Sequence, residues 1–498
     1  MRIACVGGGP GGLFFGLLVK RHRPDWDVVL FERNRAEDSF GFGVVFSDAT
    51  LRAIDEADPV LRDALAEHGV HWTAIEVWAK GKHERFDGNG MAAIRRSTLL
   101  GILQEAAAEA GVDLRFETMV PSAGELREFD VIVGADGSNS TLREQTASPL
   151  GQQIDTASAK FIWFGTTHLF DGLTFVHAQN EHGNFAVHGY PISGDTSTFI
   201  VETDEATWRR AGLDEFDVSL PPGQSDEKSR QYIAELFADL IPGGELLVNN
   251  SRWANFKTRR TERWYNGNTV FLGDAVHTAH FSVGSGTKMA MEDAIVLAKQ
   301  ITGGGSLEEA FQRYELERKP AVARIQDAAI PSLAWWERFG EYYRALEPWQ
   351  FAFHFFSRSI PIEKIRQRDP EFVAHVERSW IAQNGSPVLD TGLELSGIRF
   401  SGRLLSLDDG GRIVDPSGVS IPITAGAAVD ACDPGTVPPD AAFVVVHGGS
   451  STERAAVAER IKLESGATTL VADPDGDRDV AATLVLAGRA DALIVSAR

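Results

Sequence analysis

Apolar and polar positions fall into three textures along the chain. In the first, residues 2–6 (RIACV) form a short apolar run, glycines follow, and an apolar helical pattern covers Leu13 to Val19. A second apolar run comes at residues 27–31 (DVVLF). Strand, helix and strand within about 30 residues predict a β-α-β unit and a parallel sheet. Residues 97–110 predict a helix with Ser97 as N-cap, ending before Gly111, and residues 112–117 and 130–134 predict further strands. The second texture, from about 158 to 256, is alternation, as in KFIWFGTTHLF and NFAVHGYPI. It predicts antiparallel sheet. Thr269 to Leu272 then returns to a buried strand, followed by a long helix through Gln300 and helical segments to about 383. The third texture begins near Asn384-Gly385-Ser386-Pro387 and is rich in Gly, Pro, Asp and Ala. It closes with α/β patterning: AAFVVVH, a helix near 452–465, TTLVA, a helix near 477–487, and DALIV.

Composition narrows the function classes. A chain of 498 residues, 43% hydrophobic, has ample material for several cores. Its 48 basic and 70 acidic residues give a formal charge of −22. That argues against broad nucleic-acid or anionic-membrane binding, which need a basic footprint. Two cysteines, Cys5 and Cys432, exclude a disulfide framework and a cysteine-rich metal site, and no metal is expected. Cys5 lies in an apolar strand and reads as a buried structural thiol. Without a membrane-length apolar run or a signal-peptide pattern, a cytoplasmic location is expected. Oligomeric state is left open.

Three motifs carry chemistry. Gly7-x-Gly9-x-x-Gly12 directly follows a strand and opens a helix. Gly7 permits the turn, Gly9 lets a pyrophosphate approach the backbone, and Gly12 lets helix and strand pack closely. The helix N-terminus stabilises the phosphate charge. Glu32 follows 20 residues after Gly12, where a carboxylate accepts hydrogen bonds from an adenosine ribose. The second motif is GADGSNSTLR, Gly134 to Arg143, and the third is VFLGDAVHTAHFSVGSGTKMAMEDA, Val270 to Ala294. In the third, a strand ends at Gly273-Asp274 and a glycine-containing loop leads into a helix. The aspartate can hold a ribityl hydroxyl, and the helix N-terminus can stabilise flavin or pyrophosphate charge.

In this order and spacing, the motifs over residues 1 to 380 resemble the class A flavoprotein monooxygenases, the p-hydroxybenzoate hydroxylase family. The resemblance implies an α/β fold: a Rossmann-like FAD-binding domain (1–157 and 257–300) with an inserted, mainly antiparallel sheet domain for substrate (158–256). A helical segment (301–383) and a small C-terminal α/β tail (384–498) follow. It implies FAD, NADH or NADPH, and molecular oxygen as reactants of a single-component enzyme. Carried over by position, it assigns Asp136, Gly137, Gly273 and Asp274 to the flavin. Arg96 opens an Arg-x-x-Leu-x-x-x-Leu pattern with Leu99 and Leu103 and matches the family's FAD-contacting arginine. The loop Gly41 to Asp48, with Val45, matches the loop beside the isoalloxazine. Arg33, Gly284, Gly286 and Thr287 complete the expected cofactor contacts. One departure refines the comparison. Where the family usually has proline after Gly-Asp-Ala-x-His, this chain reads His280-Phe281-Ser282-Val283-Gly284-Ser285-Gly286-Thr287-Lys288. That variant resembles a subgroup containing salicylyl-CoA 5-hydroxylase and the monooxygenase half of 2-aminobenzoyl-CoA monooxygenase/reductase. A related loop occurs in the hydroxylase of violacein biosynthesis.

The substrate site is expected between the isoalloxazine and the middle sheet. His188, Tyr190 and His280 are the candidate catalytic groups, since an imidazole or phenol can deprotonate or orient a ring hydroxyl. Arg252, Lys257, Arg259 and Arg260, in RWANFKTRRTER, are candidates to hold phosphates of a coenzyme A tail. The tail resembles the closing strands and helices of an Old Yellow Enzyme barrel. At about 110 residues it is too short for a full barrel of about 250, so a truncated remnant or a small independent module is expected, with no flavin site. The preferred substrate is an aryl-CoA thioester such as salicylyl-CoA, hydroxylated at C5 to gentisyl-CoA. The alternatives are a monooxygenase for an indole-derived or polyketide intermediate, and a non-catalytic binding protein of flavoprotein fold.

Overall fold

The computed structural model describes residues 1–47, 51–145, 150–217, 219–220, 223–284, 286–438 and 441–496. They form two compact units, Met1–Ile75 with Asn89–Glu337, and Glu76–Gly88 with Arg338–Arg498.

The first unit opens with β1 (Arg2–Val6), α1 (Pro10–His22) and β2 (Asp27–Phe31). It continues with β3 (Gly43–Ser47), β4 (Met91–Arg95), α2 (Arg96–Ala110), β5 (Asp113–Arg115) and β6 (Val131–Gly134). Near-continuous Val, Ile, Leu and Phe mark β1, β2 and β6 as buried on both faces, as parallel strands under helices require. The parallel order is β5-β2-β1-β6, extended on the far side by a later strand, Thr269–Phe271, and the antiparallel strand Tyr265–Asn266. The helix after β4 differs from expectation in its cap. Its N-cap is Arg95 rather than Ser97, which lies inside the first turn. The Arg96 amide instead donates to the Phe42 carbonyl, so tertiary structure supplies what a capping side chain would.

The antiparallel layer holds β7 (Gln152–Thr166), β8 (Leu173–Asn180), β9 (Gly183–Pro191), β10 (Ser197–Thr203) and β11 (Ala254–Thr261). Strand order places β10 between β7 and β9, with β8 beyond β9 and β11 on β7. Register decides which side chains meet. Trp163 pairs with Ile200, His188 with Ile200 and with Phe175, and Ala186 with Glu202 and with His177. Alternation therefore gives one face Ile162, Phe164, Phe185, Val187, Phe199 and Val201, which close a core with Ile233 and Phe237. The other face carries Trp163, Phe175, His177, His188, Tyr190 and Glu202. This second face is polar and aromatic, and His177, His188, Tyr190 and Glu202 on it are all buried.

The chain then returns to the parallel sheet through β12 (Thr269–Phe271), followed by α3 (Gly286–Thr302) and α4 (Leu307–Ala345).

In the second unit, the segment Glu76–Gly88 packs on the helices Pro348–Phe356 and Pro370–Asn384. The ring of Phe86 lies 4.9 Å from that of Phe356 and 5.7 Å from that of Phe372. Nothing local in the sequence marks this long-range partnership. The helix Pro370–Asn384 ends at Gly385, which takes the left-handed conformation (φ 80°) that glycine adopts freely. The tail builds an open sheet from β13 (Leu404–Leu407), β14 (Ala427–Asp430), β15 (Phe443–His447), α5 (Ser451–Ser465), β16 (Thr468–Ala472), α6 (Arg478–Leu486) and β17 (Ala492–Ser496). Strands β14, β15, β16, β17 and β13 run parallel in that order, with two antiparallel strands added at the β13 edge. From β14 to β17 neighbours in sequence are neighbours in space, as in a barrel, but β13 pairs with β17, and the sheet has two edges and does not close.

Candidate functional site

The first motif builds a cradle. Gly7 has φ +118°, and a Cβ there would sit 2.2 Å from the Ala135 carbonyl oxygen. Only glycine fits. Gly12 is constrained from the other side, since its Cβ would sit 2.2 Å from the Gly7 carbonyl oxygen. A Cβ on Gly9 would meet nothing within 4 Å. The turn is thus closed against protein at Gly7 and Gly12 and open at Gly9, where α1 begins. A groove there is lined by Gly7, Gly9, Glu32, Arg33, Asp136 and Gly137, together with the apolar side chains of Phe40 and Met119. Glu32 accepts from the Gly8 amide at 2.7 Å and the Asn34 amide at 2.9 Å, which fixes the carboxylate at the end of β2. Asp136 accepts from the Thr141 amide at 2.8 Å through Oδ2, while its buried Oδ1 has no hydrogen-bond partner. A buried carboxylate oxygen without a donor is costly. A hydroxyl of a bound dinucleotide would satisfy it.

The Gly-Asp motif is held from below. Asp293 Oδ2, fully buried, accepts from the Gly273 amide at 2.9 Å and lies 2.6 Å from His277 Nε2, and its Oδ1 accepts from Arg318 Nε at 2.8 Å. Burial pushes the Asp293 carboxyl up, but His277 and Arg318 outweigh it, so the group sits below the usual carboxylate range. Sequence reading missed this support, although Asp293 belongs to the MEDA stretch of the third motif. Gly273 takes φ +60° and faces Ala290 of α3 closely. Asp274 is solvent-accessible and crowded by neighbouring charges. Desolvation raises its carboxyl, opposed by His277, Arg96 and Arg259. Burial lowers the Arg96 guanidinium, opposed by Asp274 and Tyr190. The structure therefore brings Arg96, Asp274 and Tyr190 into one electrostatic neighbourhood.

Gly284 (φ +60°) meets the flavin-side loop, since a Cβ on it would lie 3.6 Å from Val45 Cγ1. Gly286 and Thr287 open α3, and a Cβ on Gly286 would meet nothing within 4 Å. Asp48 and Ser285, expected in these loops, lie outside the described residues. Behind the loops, Phe281 lies within 5.0 Å of Phe161, 5.8 Å of Trp163 and 4.3 Å of the His280 ring. Tyr190, 4% exposed, has its phenol pushed up to about 12 by burial. His188 and His280, both buried, converge on a buried carboxylate absent from the expectations, that of Glu202. Trp336 stands over His188, with ring centroids 4.2 Å apart.

The basic cluster is not the patch expected. Arg259 is buried, and its guanidinium donates to the Gln152 side chain at 3.0 Å and to the carbonyls of Ser138 at 2.9 Å and Asp274 at 3.3 Å. Arg143 joins it, donating to the carbonyls of Ala275 and Ser138. These two arginines staple the second motif to the third. Arg260, next along β11 and so on the opposite face, donates to Gln326 and pairs with Asp327 at 3.1 Å. Arg252 donates to the carbonyls of Leu220 and Gln224. Strand alternation and local acceptors divide the run, and of the four only Lys257 is exposed. Among the described residues, no group of three His, Cys, Asp or Glu could hold a metal ion, and no helix is long and apolar enough to cross a membrane. Cys5 is buried with its thiol pushed up by burial, and Cys432 is exposed.

Comparison with known proteins agrees with this geometry. An FAD binding domain family matches residues 125–329. The chain is 50% identical to a salicyloyl-CoA 5-hydroxylase of a Streptomyces species over 99% of both chains. It is 33% identical to the 3-hydroxy-4-methyl-anthranilyl-[aryl-carrier protein] 5-monooxygenase of Streptosporangium sibiricum, over 68% of this chain and 90% of that one. Among solved structures, a 2-methyl-3-hydroxypyridine-5-carboxylic acid oxygenase shares the fold at TM-score 0.55 and 22% identity, covering 68% of this chain and 92% of that one. The glycine cradle, the supported Gly-Asp turn and these likenesses place the chain in the family of FAD-dependent aromatic monooxygenases.

Proposed function

We propose that the protein hydroxylates an aryl-CoA thioester in the cytoplasm, taking salicylyl-CoA to gentisyl-CoA by oxidation at C5. The observation that carries this reading is the 50% likeness to a salicyloyl-CoA 5-hydroxylase, which runs through the tail as well as the FAD-binding body. FAD, reduced by NADH or NADPH, supplies the oxygen chemistry when bound. The protein supplies the rest. Gly7, Gly9 and Gly12 hold the pyrophosphate at the start of α1, and Glu32 and Arg33 hold the adenosine. Asp136, Gly137, Arg96, Gly273 and Asp274 hold the ribityl and flavin region. Gly284, Gly286 and Thr287 present amides at the start of α3, where developing negative charge is stabilised. Val45 and Phe281 wall the ring and exclude water. His188, His280 and Tyr190 orient the ring hydroxyl. Lys257 is retained as a contact for the thioester's phosphates, whereas Arg252, Arg259 and Arg260 already serve internal acceptors.

The test is product mass spectrometry with NADH and NADPH against a panel of salicylate, salicylyl-CoA, 2-aminobenzoyl-CoA and an indole-derived substrate. Salicylyl-CoA should gain one oxygen atom and stimulate NAD(P)H oxidation far more than salicylate does. Equal stimulation by acid and thioester, or by neither, overturns the reading. The indole arm is included because the chain is also 32% identical to the protodeoxyviolaceinate monooxygenase of Chromobacterium violaceum over 68% of its length.

A further inference from the structure

Glu202 is 1% exposed on the sheet face that carries the aromatic side chains. Its Oε1 lies 2.8 Å from His188 Nε2, and its Oε2 lies 3.9 Å from His280 Nε2. The cross-strand register explains the first contact. His188 pairs with Ile200, which puts Glu202 one step along the same face. The loop after the Gly-Asp motif delivers the second. On its far side, His280 Nδ1 lies 2.7 Å from Ser282 Oγ, which lies 2.8 Å from Ser332 Oγ on α4. Two further titratable groups share the face, Tyr190, whose phenol burial pushes up to about 12, and His177. Burial holds the His177 imidazole well below its usual value, and His188 adds to the effect. A carboxylate this deep requires partners that stabilise its charge, and two imidazoles from separate elements reach it.

We propose that Glu202 is a positioning residue for the hydroxylation, holding His188 and His280 so that an imidazole accepts the proton of the substrate's ring hydroxyl. In that step the substrate O–H bond breaks and its electron pair stays on oxygen, which makes the ring more electron-rich. An N–H bond forms on the imidazole, and the Glu202 carboxylate stabilises the imidazolium. This assignment rests on the reading of the protein as a hydroxylase of a phenolic ring.

The experiment uses the full-length, FAD-loaded protein and Glu202→Gln, which keeps the volume and removes the charge. Histidine side-chain NMR, with resonances assigned through His188→Asn and His280→Asn, reads the imidazole titrations without any substrate. An opposite charge at this range shifts a titration by about 1–3 units, so both imidazoles should titrate about one unit or more lower in Glu202→Gln. With salicylyl-CoA, kcat should fall about tenfold or more, with KM and FAD content unchanged, and the acidic limb of kcat should move to lower pH. Glu202→Asp should recover part of the loss. Unmoved titrations overturn the assignment, whatever the substrate. Shifted titrations in a protein that leaves salicylyl-CoA unmodified overturn the proposed substrate and leave the positioning role standing. Should Glu202→Gln fail to fold, His188→Asn replaces it. The His280 titration should then rise, because the carboxylate is no longer shared, and an unchanged His280 overturns the assignment.

Discussion

Two parallel sheets in this chain end in glycine turns that open helices, and the two turns differ in what they leave open. After β1, the turn at Gly7 and Gly12 closes on the backbone of Ala135 and on itself, and leaves open space at Gly9. After β15, Gly448 and Gly449 also take positive φ, and Ser450 caps α5 with a complete capping box. There the loop turns its carbonyls inward: Arg454 donates to the Gly448 oxygen at 3.1 Å and the Gly449 oxygen at 2.7 Å. The same arginine pairs with Asp473 at 2.9 Å. The tail turn is therefore filled by the chain's own cation, with a carboxylate beside it, where a phosphate needs amide donors. Strand, glycine and helix are necessary for a dinucleotide site, and the direction of the amides decides the matter.

The largest effect on bound flavin is expected from Gly7→Ala. The added Cβ would meet the Ala135 carbonyl at 2.2 Å, and the φ of +118° strains any side chain. The atoms it would meet, at Ala135 and Asp136, are backbone, so no side-chain rotation relieves the contact. Purified Gly7→Ala should carry less than about a tenth of the parent's FAD, read from the flavin absorbance per chain. Full occupancy would show that the turn has freedom the structure denies it.

Next comes the support beneath the Gly-Asp turn. Asp293→Asn removes one of the two carboxylates that hold the buried Arg318 guanidinium and leaves Glu292, at 3.0 Å, as the other, so the cost stays below the about 3–5 kcal/mol of a fully unpaired buried charge. Because the Asp293 carboxyl sits below its usual range when folded, its stabilisation is present above the ordinary carboxylate pKa. It is lost as pH falls through the lower folded value. Denaturant unfolding should show the parent losing stability over that acid window and Asp293→Asn losing less. Parallel curves for the two proteins would remove Asp293 from this role.

Asp274→Ala should act more locally. The Asp274 carboxyl feels the charges of His277, Arg96 and Arg259, and losing one acceptor of a charged hydrogen bond costs about 1.5–3 kcal/mol, or about ten- to a hundredfold in FAD affinity. Fluorescence titration of the apoprotein with FAD measures it. An unchanged affinity would leave Arg96 and the glycine cradle as the determinants.

The two ends of the site differ in how far they could be read from the sequence. The strand, tight turn and helix start at the glycine triplet, and the strand end at Gly273-Asp274, were legible because each depends on local geometry within a few residues. Fold class was legible for the same reason, since period and turn residues mark parallel and antiparallel stretches separately. Glu202 was not legible. Its meeting with His188 depends on the β9–β10 register, and its approach to His280 on a loop some 78 positions away. The division of the arginine run was not legible either, because a cluster in sequence becomes two faces on a strand. Arg259 went inward to Ser138 and Asp274, and Arg260 outward to Asp327. The segment Glu76–Gly88 joined the C-terminal unit through Phe86 contacts that no local pattern encodes.

The smallest effect on flavin, none, is expected from Gly448→Ala, and this substitution tests the comparison most directly. Gly448 has φ +70°, and its Cβ would sit 2.3 Å from Asp430 Oδ1. That oxygen is the end of a side chain and can move, unlike the Ala135 carbonyl facing Gly7. Moving it sacrifices the hydrogen bond from the Cys432 amide at 2.9 Å. The left-handed backbone adds a penalty of about 1–2 kcal/mol for any residue with a Cβ. A loss of this size lowers the melting temperature of a unit of 150–250 residues by about 2–4 °C per kcal/mol. Thermal denaturation should therefore show a modest shift, while heat release should still yield one FAD per chain and no FMN, as in the parent. If FMN is released from the parent, or if Gly448→Ala lowers flavin content without unfolding the protein, then the tail turn binds a phosphate after all. The inward carbonyls at Arg454 would then belong to one of two arrangements of that loop.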